Sequence, residues 1–289
     1  MKEVPDMSYK AQQTLKTIVY HVLVMFLGFI MVYPLLWMIM SSFKPTNTVF
    51  TTAGSLIPST WTLDNYLNGL KGFGGIPFTT FFRNSFFISV LATAGTVVSS
   101  AIVAYAFSRL PYRGRGFFFA SMLVTMMLPA QVLMVPQYLW YNKLGWVNSY
   151  LPMIVPYCFA IQGFFVYLNV NFINGIPKDL DEAAKIDGCS PYEILFHIIT
   201  PLLTPALITS GIFSFIWRWD DFLSALLYVR TSAMYPASLA LKLFCDPGSS
   251  SDYGAMFAMS TLSILPVLLI FIFLQKYLVD GIASSGLKG

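Results

Sequence analysis

Six long stretches of this 289-residue chain contain no Asp, Glu, Lys or Arg: residues 17–43, 84–108, 116–142, 144–177, 194–217 and 253–275. The shortest has 23 residues. A helix rises 1.5 Å per residue, so about 20 apolar residues cross the roughly 30 Å hydrocarbon core of a bilayer. Backbone in that medium must satisfy itself, which leaves helices or closed barrels, and these runs lack the two-residue alternation of barrel strands. The sequence therefore predicts an all-α membrane protein with six transmembrane helices, at 17–43, 84–108, 116–138, 150–174, 201–224 and 256–276. A seventh charge-free run, 45–63, is rich in Thr, Pro and Ser and reads as an aqueous or interfacial loop. Composition agrees: 56% of residues are hydrophobic and 10% charged, too few charges to cover a soluble surface of this size.

A polar segment, 1–16, precedes the first run, which is too long for a signal-peptide core and reads as a retained helix. With both termini in the cytoplasm, the inside segments hold ten Lys and Arg and the outside segments seven, the sign expected from the positive-inside rule. The clearest contributor is "SRLPYRGRG", which holds Arg109, Arg113 and Arg115; Lys2, Lys10 and Lys288 are counted on the same side. On this topology residues 175–200 and the tail 281–289 are cytoplasmic, in a multi-pass protein of the plasma or inner membrane. Cys158, Cys189 and Cys245 fall in separate segments, with no metal spacing and no paired framework. His21 and His197 stand far apart, no H-E-x-x-H or G-x-S-x-G occurs, and His197 suits a packing or capping role. The net charge of +4 is scattered along membrane edges, which is no nucleic-acid signature.

The segment 178–193 stands out against the oily background, with five acids and two lysines. "GIPKDLDEAAKIDG" starts with a proline turn, spaces Asp179 and Glu182 like a capping box, and ends at Asp187–Gly188. "CSPYEILFHIITP" restarts with Ser190 as N-cap, Pro191 at the first helical position and Glu193 three residues after the serine. Two short helices are expected at an angle, with Gly188 as pivot because glycine takes left-handed dihedrals freely. Ala183 and Ala184 beside Glu182 form a small, close-packing face next to an anion, which suits a groove holding an arginine. A well-capped connection with a solvated acidic face fits the same residues.

Glu182-Ala183-Ala184, three residues, Gly188, nine residues, Ile198, one residue and Thr200-Pro201 resemble the EAA loop of permease subunits of ATP-binding-cassette importers. That pattern has leucine where this chain has Thr200, a departure expected to alter packing at the start of the fifth helix. The resemblance continues through "YPLLWMIMSSFKP" (33–45), "WTLDNY" (61–66), "FFRNSFFISV" (81–90), "AYAFSRLPYRGR" (104–115), "MMLPAQVLMVPQY" (126–138), "FIWRWDDFLSAL" (215–226) and residues 252–289. These are similar to the carbohydrate-uptake branch, especially the smaller permease subunit of maltose-type importers.

The resemblance implies a cytoplasmic coupling loop over 175–200 that docks in a cleft of an ATPase dimer. Glu182 would meet an arginine there, with Ala183, Ala184, Asp187 and Gly188 shaping the contact. It also implies a second, related permease subunit, a solute-binding protein docking outside (with 228–257 projecting toward it), and a tail reaching toward the ATPase. The chain carries no G-x-x-x-x-G-K-[ST], so ATP and Mg belong to the partner subunits and no cofactor or catalytic residue is expected here. For the solute, "WRWDDF" places Trp217, Arg218, Trp219, Asp220 and Asp221 at the outer end of the fifth helix, where rings and polar groups suit a sugar. An interfacial aromatic belt with snorkelling charges is the alternative. Arg83 and Asn84 at the outer start of the second helix are equally open. Were Arg83 and Arg218 both to face the pathway, an acidic saccharide or glycerol-phosphate-type solute would follow. An autonomous secondary transporter would need paired ionisable groups near helix centres or broken helices in repeated halves. Pro34, Pro129, Pro136, Pro152, Pro156 and Pro266 can kink helices but mark no repeat.

Overall fold

Apolar runs with few breakers become long helices, since in hydrocarbon each backbone N–H and C=O must find its partner within the segment. A computed structural model of the protein describes residues 7–245 and 252–286. Among them the regular elements are helices: α1 (Met7–Ser41), α2 (Asp64–Lys71), α3 (Phe78–Arg109), α4 (Arg115–Met126), α5 (Ala130–Lys143), α6 (Leu151–Ile154), α7 (Gly163–Gly175), α8 (Asp179–Ile186), α9 (Pro191–Glu193), α10 (Thr200–Trp219), α11 (Phe222–Tyr228), α12 (Ala237–Ala240) and α13 (Tyr253–Gly286).

Among the described residues, five stretches are long and apolar enough to cross a bilayer: Gln12–Ser41, Phe78–Arg109, Leu151–Gly175, Pro191–Trp219 and Tyr253–Tyr277. Several expected bounds move. The second span starts at Phe78 rather than 84, and the fifth is helical from Pro191 rather than 201. Helix α13 runs on to Gly286, so residues 281–286 of the expected tail are helical. Residues 1–6 and 287–289, with Lys2 and Lys288, lie outside the described residues.

The expected third span, 116–138, is not one rod. Helices α4 and α5 meet at 104° across Met127–Pro129. Pro129 is extended (φ −60°, ψ 129°) and a proline disfavours helical dihedrals in the residue before it. At 12 and 14 residues, about 18 and 21 Å, neither piece reaches across alone. Span four is also interrupted: α6 passes through a 3-10 turn at Val155–Phe159 and a left-handed Ala160 (φ 52°) before α7 resumes.

Two compact units divide the chain, residues 1–69 with 247–262 and residues 70–246 with 263–289. In the first, Lys44 is buried and its Nζ donates to the carbonyls of Thr52 (3.0 Å) and Ser55 (2.6 Å), so the polar loop after α1 wraps the ammonium. Asn65 donates to the carbonyls of Ser42 and Lys44, both at 2.7 Å. Asp252 accepts from Thr46 Oγ1 (2.7 Å) and from the Ala255 N–H (2.9 Å), capping α13. Gly254 is needed there because a Cβ would stand 2.3 Å from Asn65 Oδ1.

In the second unit α3 packs along α10 and α7. Small residues on α3 (Ser89, Ala92, Thr96, Ser100, Ala104) are buried and let the helices approach closely. One apolar core gathers Ala104, Val170, Ile173, Ile199 and Leu203 near the C-terminal half of α3; another gathers Ile88, Tyr141, Tyr228 and Leu239 near its start. Asn84, near the start of α3, donates to the carbonyls of Ala233 (2.9 Å) and Tyr235 (3.0 Å). Asn148, beyond α5, holds the same neighbourhood: its N–H donates to Tyr228 O (2.7 Å) and its amide to Thr231 Oγ1 (3.0 Å). The bent α4–α5 pair thus carries the chain from the Arg109 end of α3 back to the Asn84 end.

Candidate functional site

The acidic loop folds as two short helices about Gly188, whose φ is +84°. Ser190 caps the second helix in a reciprocal box: Glu193 Oε2 accepts from the Ser190 N–H (2.7 Å) and Ser190 Oγ from the Glu193 N–H (3.3 Å). The box expected at Asp179 and Glu182 is absent. Lys178 stands at the N-cap with helical dihedrals and no side-chain bond, which puts Asp179 inside the helix.

Helix α8 has two distinct faces. Glu182, Ala183 and Ile186 point outward, three and four residues apart on one stripe, and Ile186 is 87% exposed. Asp187 is exposed at the C-cap. Asp181 and Ala184 point inward. Ala184 joins the apolar core with Ile194 and Leu195, which corrects its expected place in a docking face: it is filled by this chain's own side chains. Asp181 leaves the solvated acidic set as well. Its Oδ2 lies 2.7 Å from Arg109 Nε, with the two side chains 8% and 4% exposed. Arg109 also donates to the carbonyls of Ile173 (3.1 Å) and Ile176 (2.7 Å) at the end of α7. Removing one partner of such a buried pair costs about 3–5 kcal/mol, because the other charge is stranded. Sequence reading missed the pair, although an arginine ending one apolar helix and an acid opening a short polar one were its available signal.

After Glu193 the rod continues as a π turn, Ile194–Ile199. Pro201 explains it. Proline has no N–H for the preceding turn and its ring crowds the carbonyl four residues back, so the ladder widens by one residue. Thr200 then returns both its N–H and its hydroxyl (2.7 Å) to the Leu195 carbonyl. The departure from the usual leucine therefore serves the widened turn.

At the other end of the bundle a cavity of about 330 Å³ lies beside the α4–α5 break, walled by Gln131, Gln137, Tyr157, Gln162, Arg218 and Asp221. Arg218 Nη1 donates to Asp221 Oδ2 (2.9 Å) and closely to the Tyr157 hydroxyl, and its guanidinium lies 4.3 Å over the Tyr157 ring. The other Asp221 oxygen caps α11 through the Ser224 N–H (3.0 Å). Gln162 Oε1 and Arg218 Nε are buried without a hydrogen-bond partner.

The remaining expected pathway residues separate from this wall. Asn84 is buried in its loop contacts and Arg83 is exposed. Trp219 is buried among Phe82, Phe86 and Phe215, its Nε1 donating to Ser263 O (2.9 Å). Trp217 packs on Phe164, Phe165 and Phe213, while Asp220 is exposed. Tyr157 and the three glutamines went unread in the sequence. Uncharged amides inside charge-free apolar runs were the clue, since polar groups in such segments are costly to keep. Part of the segment after Tyr228 packs inward: Ala237, Leu239, Ala240 and Phe244 are buried, and the Ala237 N–H donates to Ser85 Oγ (2.8 Å). Residues 246–251 of it lie outside the described residues.

Comparison with known proteins identifies the family of the chain. A family described as "Binding-protein-dependent transport system inner membrane component" matches residues 96–284. The chain is 36% identical over 257 residues to the probable ABC transporter permease protein YurM of Bacillus subtilis, covering 89% of this chain and 84% of that one. It is 35% identical over 266 residues to the arabinooligosaccharides transport system permease protein AraQ of Halalkalibacterium halodurans, covering 91% and 94%. Among solved structures, a chain of a bacterial ABC transporter involved in the import of the acidic polysaccharide alginate matches with a TM-score of 0.80 at 25% identity, over 92% of this chain and 97% of that one. The matched segment runs from the middle of α3 through the bent pair and the α8 loop to α13, and the chain belongs to the inner membrane components of binding-protein-dependent transport systems.

Proposed function

We propose that this chain is a permease subunit of an ATP-binding-cassette importer that moves a sugar or oligosaccharide into the cytoplasm by alternating access. A solute-binding protein delivers the solute outside, a second related permease completes the pathway, and an ATPase dimer carrying ATP and Mg drives the cycle. The α8 loop and both termini are cytoplasmic in this reading. The observation that carries it is the two-faced α8: a stripe of Glu182, Ala183 and Ile186 is presented outward while the opposite side is locked into the bundle. An exposed isoleucine beside an acid and an alanine suits a cleft holding an arginine, where the carboxylate makes a charge-assisted bond and the apolar groups pack.

The wall around Arg218 favours a neutral solute over an acidic one. Asp221 already balances the guanidinium, and what remains on offer is amide and phenol hydrogen bonding with ring faces. Glu182→Gln tests the coupling assignment. The variant should insert and co-purify its helices normally, while ATP hydrolysis stimulated by loaded binding protein falls about tenfold, the loss of one charge-assisted contact. Normal stimulation and uptake would overturn it.

A further inference from the structure

Arg109 joins three elements at one point. It closes α3, donates to the last carbonyls of α7 through Ile173 and Ile176, and pairs with Asp181 in the first turn of α8. Each contact also suits the local field, since a cation belongs at the C-terminal end of α7 and an anion at the N-terminal end of α8. Without Arg109 the hold on α8 is thin. The helix has eight residues, a proline turn before it and the left-handed Gly188 after it, and Ala184 is its one inward apolar side chain.

We propose that Arg109 is a positioning residue for coupling: it makes α8 one rigid body with α3 and α7, so that displacement imposed on the outward face of α8 reaches the transmembrane helices. This rests on the proposed importer function. Glu182, Ala183 and Ile186 supply the docking face, and Arg109 with Asp181 supplies the transmission. A chain lacking the pair would still dock, but α8 would swing on its two pivots.

The test uses the full complex in proteoliposomes with its own solute-binding protein as purified, and compares Arg109→Met, Arg109→Lys and Asp181→Asn with the parent. Methionine keeps the apolar stem, lysine keeps one charge without the guanidinium fork, and asparagine keeps the carboxylate's shape. Co-purification of the ATPase should be unchanged and basal hydrolysis within about twofold of the parent, while stimulation by the binding protein drops about tenfold in Arg109→Met and recovers in part in Arg109→Lys. Amide exchange over Asp179–Ile186, measured on the permease chain alone in detergent, should accelerate about tenfold with that of α10 unchanged, a readout independent of any partner. Full stimulation in Arg109→Met, or lost stimulation with α8 exchange unaltered, would overturn the proposal. Should Arg109→Met fail to insert, Arg109→Lys and Asp181→Asn decide by the same two readouts. A parent chain that captures no ATPase would defeat the importer reading instead, and the exchange comparison would still decide whether the pair holds α8.

Discussion

Gly188 holds φ +84°, and a Cβ built on it meets nothing within 4 Å, so its constraint is purely one of backbone. Gly188→Ala should cost about 1–2 kcal/mol and Gly188→Asn less, since asparagine visits the left-handed region more readily. Thermal unfolding in detergent would measure it, and equal losses for both would contradict the argument. Asn84 makes the opposite case, where the side chain is everything. Asn84→Ala removes two part-buried bonds to the carbonyls of Ala233 and Tyr235 and should destabilise by about 1–3 kcal/mol, with faster exchange confined to residues 232–240. Exchange that rises equally along α10 would show that Asn84 is not a local pin. Gly188, Ser190 and Glu193 were legible in the sequence because caps and helix stops depend on neighbours within four residues. The contacts of Ala184, Asp181, Asn84 and Trp219 could not be read there because their partners lie on other elements, up to 151 residues away. A period of 3.6 tells that a helix has faces and leaves open what each one meets.

Proline shows the same limit one level up. Pro34, Pro136, Pro205 and Pro266 sit inside continuous helices, whereas Pro129 and Pro156 sit where spans break. Both breaks lie beside the cavity that Gln131, Tyr157 and Gln162 line, although Pro136, next to Gln137 on the same wall, leaves α5 continuous. Irregular backbone at membrane depth is tolerated where it is buried in protein or lines a cavity, so break and cavity are one feature. The six charge-free runs gave the number and placement of the apolar segments well, and bond partners across them could not be read from length or charge. The π turn before Pro201 is a third such irregularity, and here Thr200 supplies the repair. Thr200→Val should cost about 0.5–1.5 kcal/mol and speed exchange over 194–200 while leaving ATPase stimulation intact, because the hydroxyl serves the helix and not the docking face. Loss of stimulation at unchanged stability would instead tie Thr200 to coupling.

The number of crossings fixes whether the two ends of the chain share one side of the membrane. Five straight helices alone would put the two termini on opposite sides of the membrane, and the proposed topology, with both on one side, requires the α4–α5 pair to count as a sixth span. The turn at 110–114 follows the Arg109 end of α3, whereas Asn148 is bonded to Tyr228 and Thr231, in the neighbourhood that Asn84 holds at the start of α3. A re-entrant pair would return to the end it left, and this one does not. With the pair as one broken span the expected number of crossings is six, and the proposed topology has both termini and the α8 loop on one side and Lys143 on the other. Single cysteines introduced as Arg113→Cys, Lys143→Cys and Ile186→Cys, in a chain whose three native cysteines are replaced by alanine, test this with a membrane-impermeant maleimide on intact cells. All three positions are exposed on the described surface, so access is set by the membrane and not by packing. Lys143→Cys should label from outside, and Arg113→Cys and Ile186→Cys only after permeabilisation, as the charge bias of the loops also expects. Labelling of Arg113→Cys and Lys143→Cys from the same face would make the bent pair re-entrant, reduce the crossings to five and separate the termini. Labelling of Ile186→Cys from outside would remove α8 from the reach of any cytoplasmic ATPase, and the importer function with it.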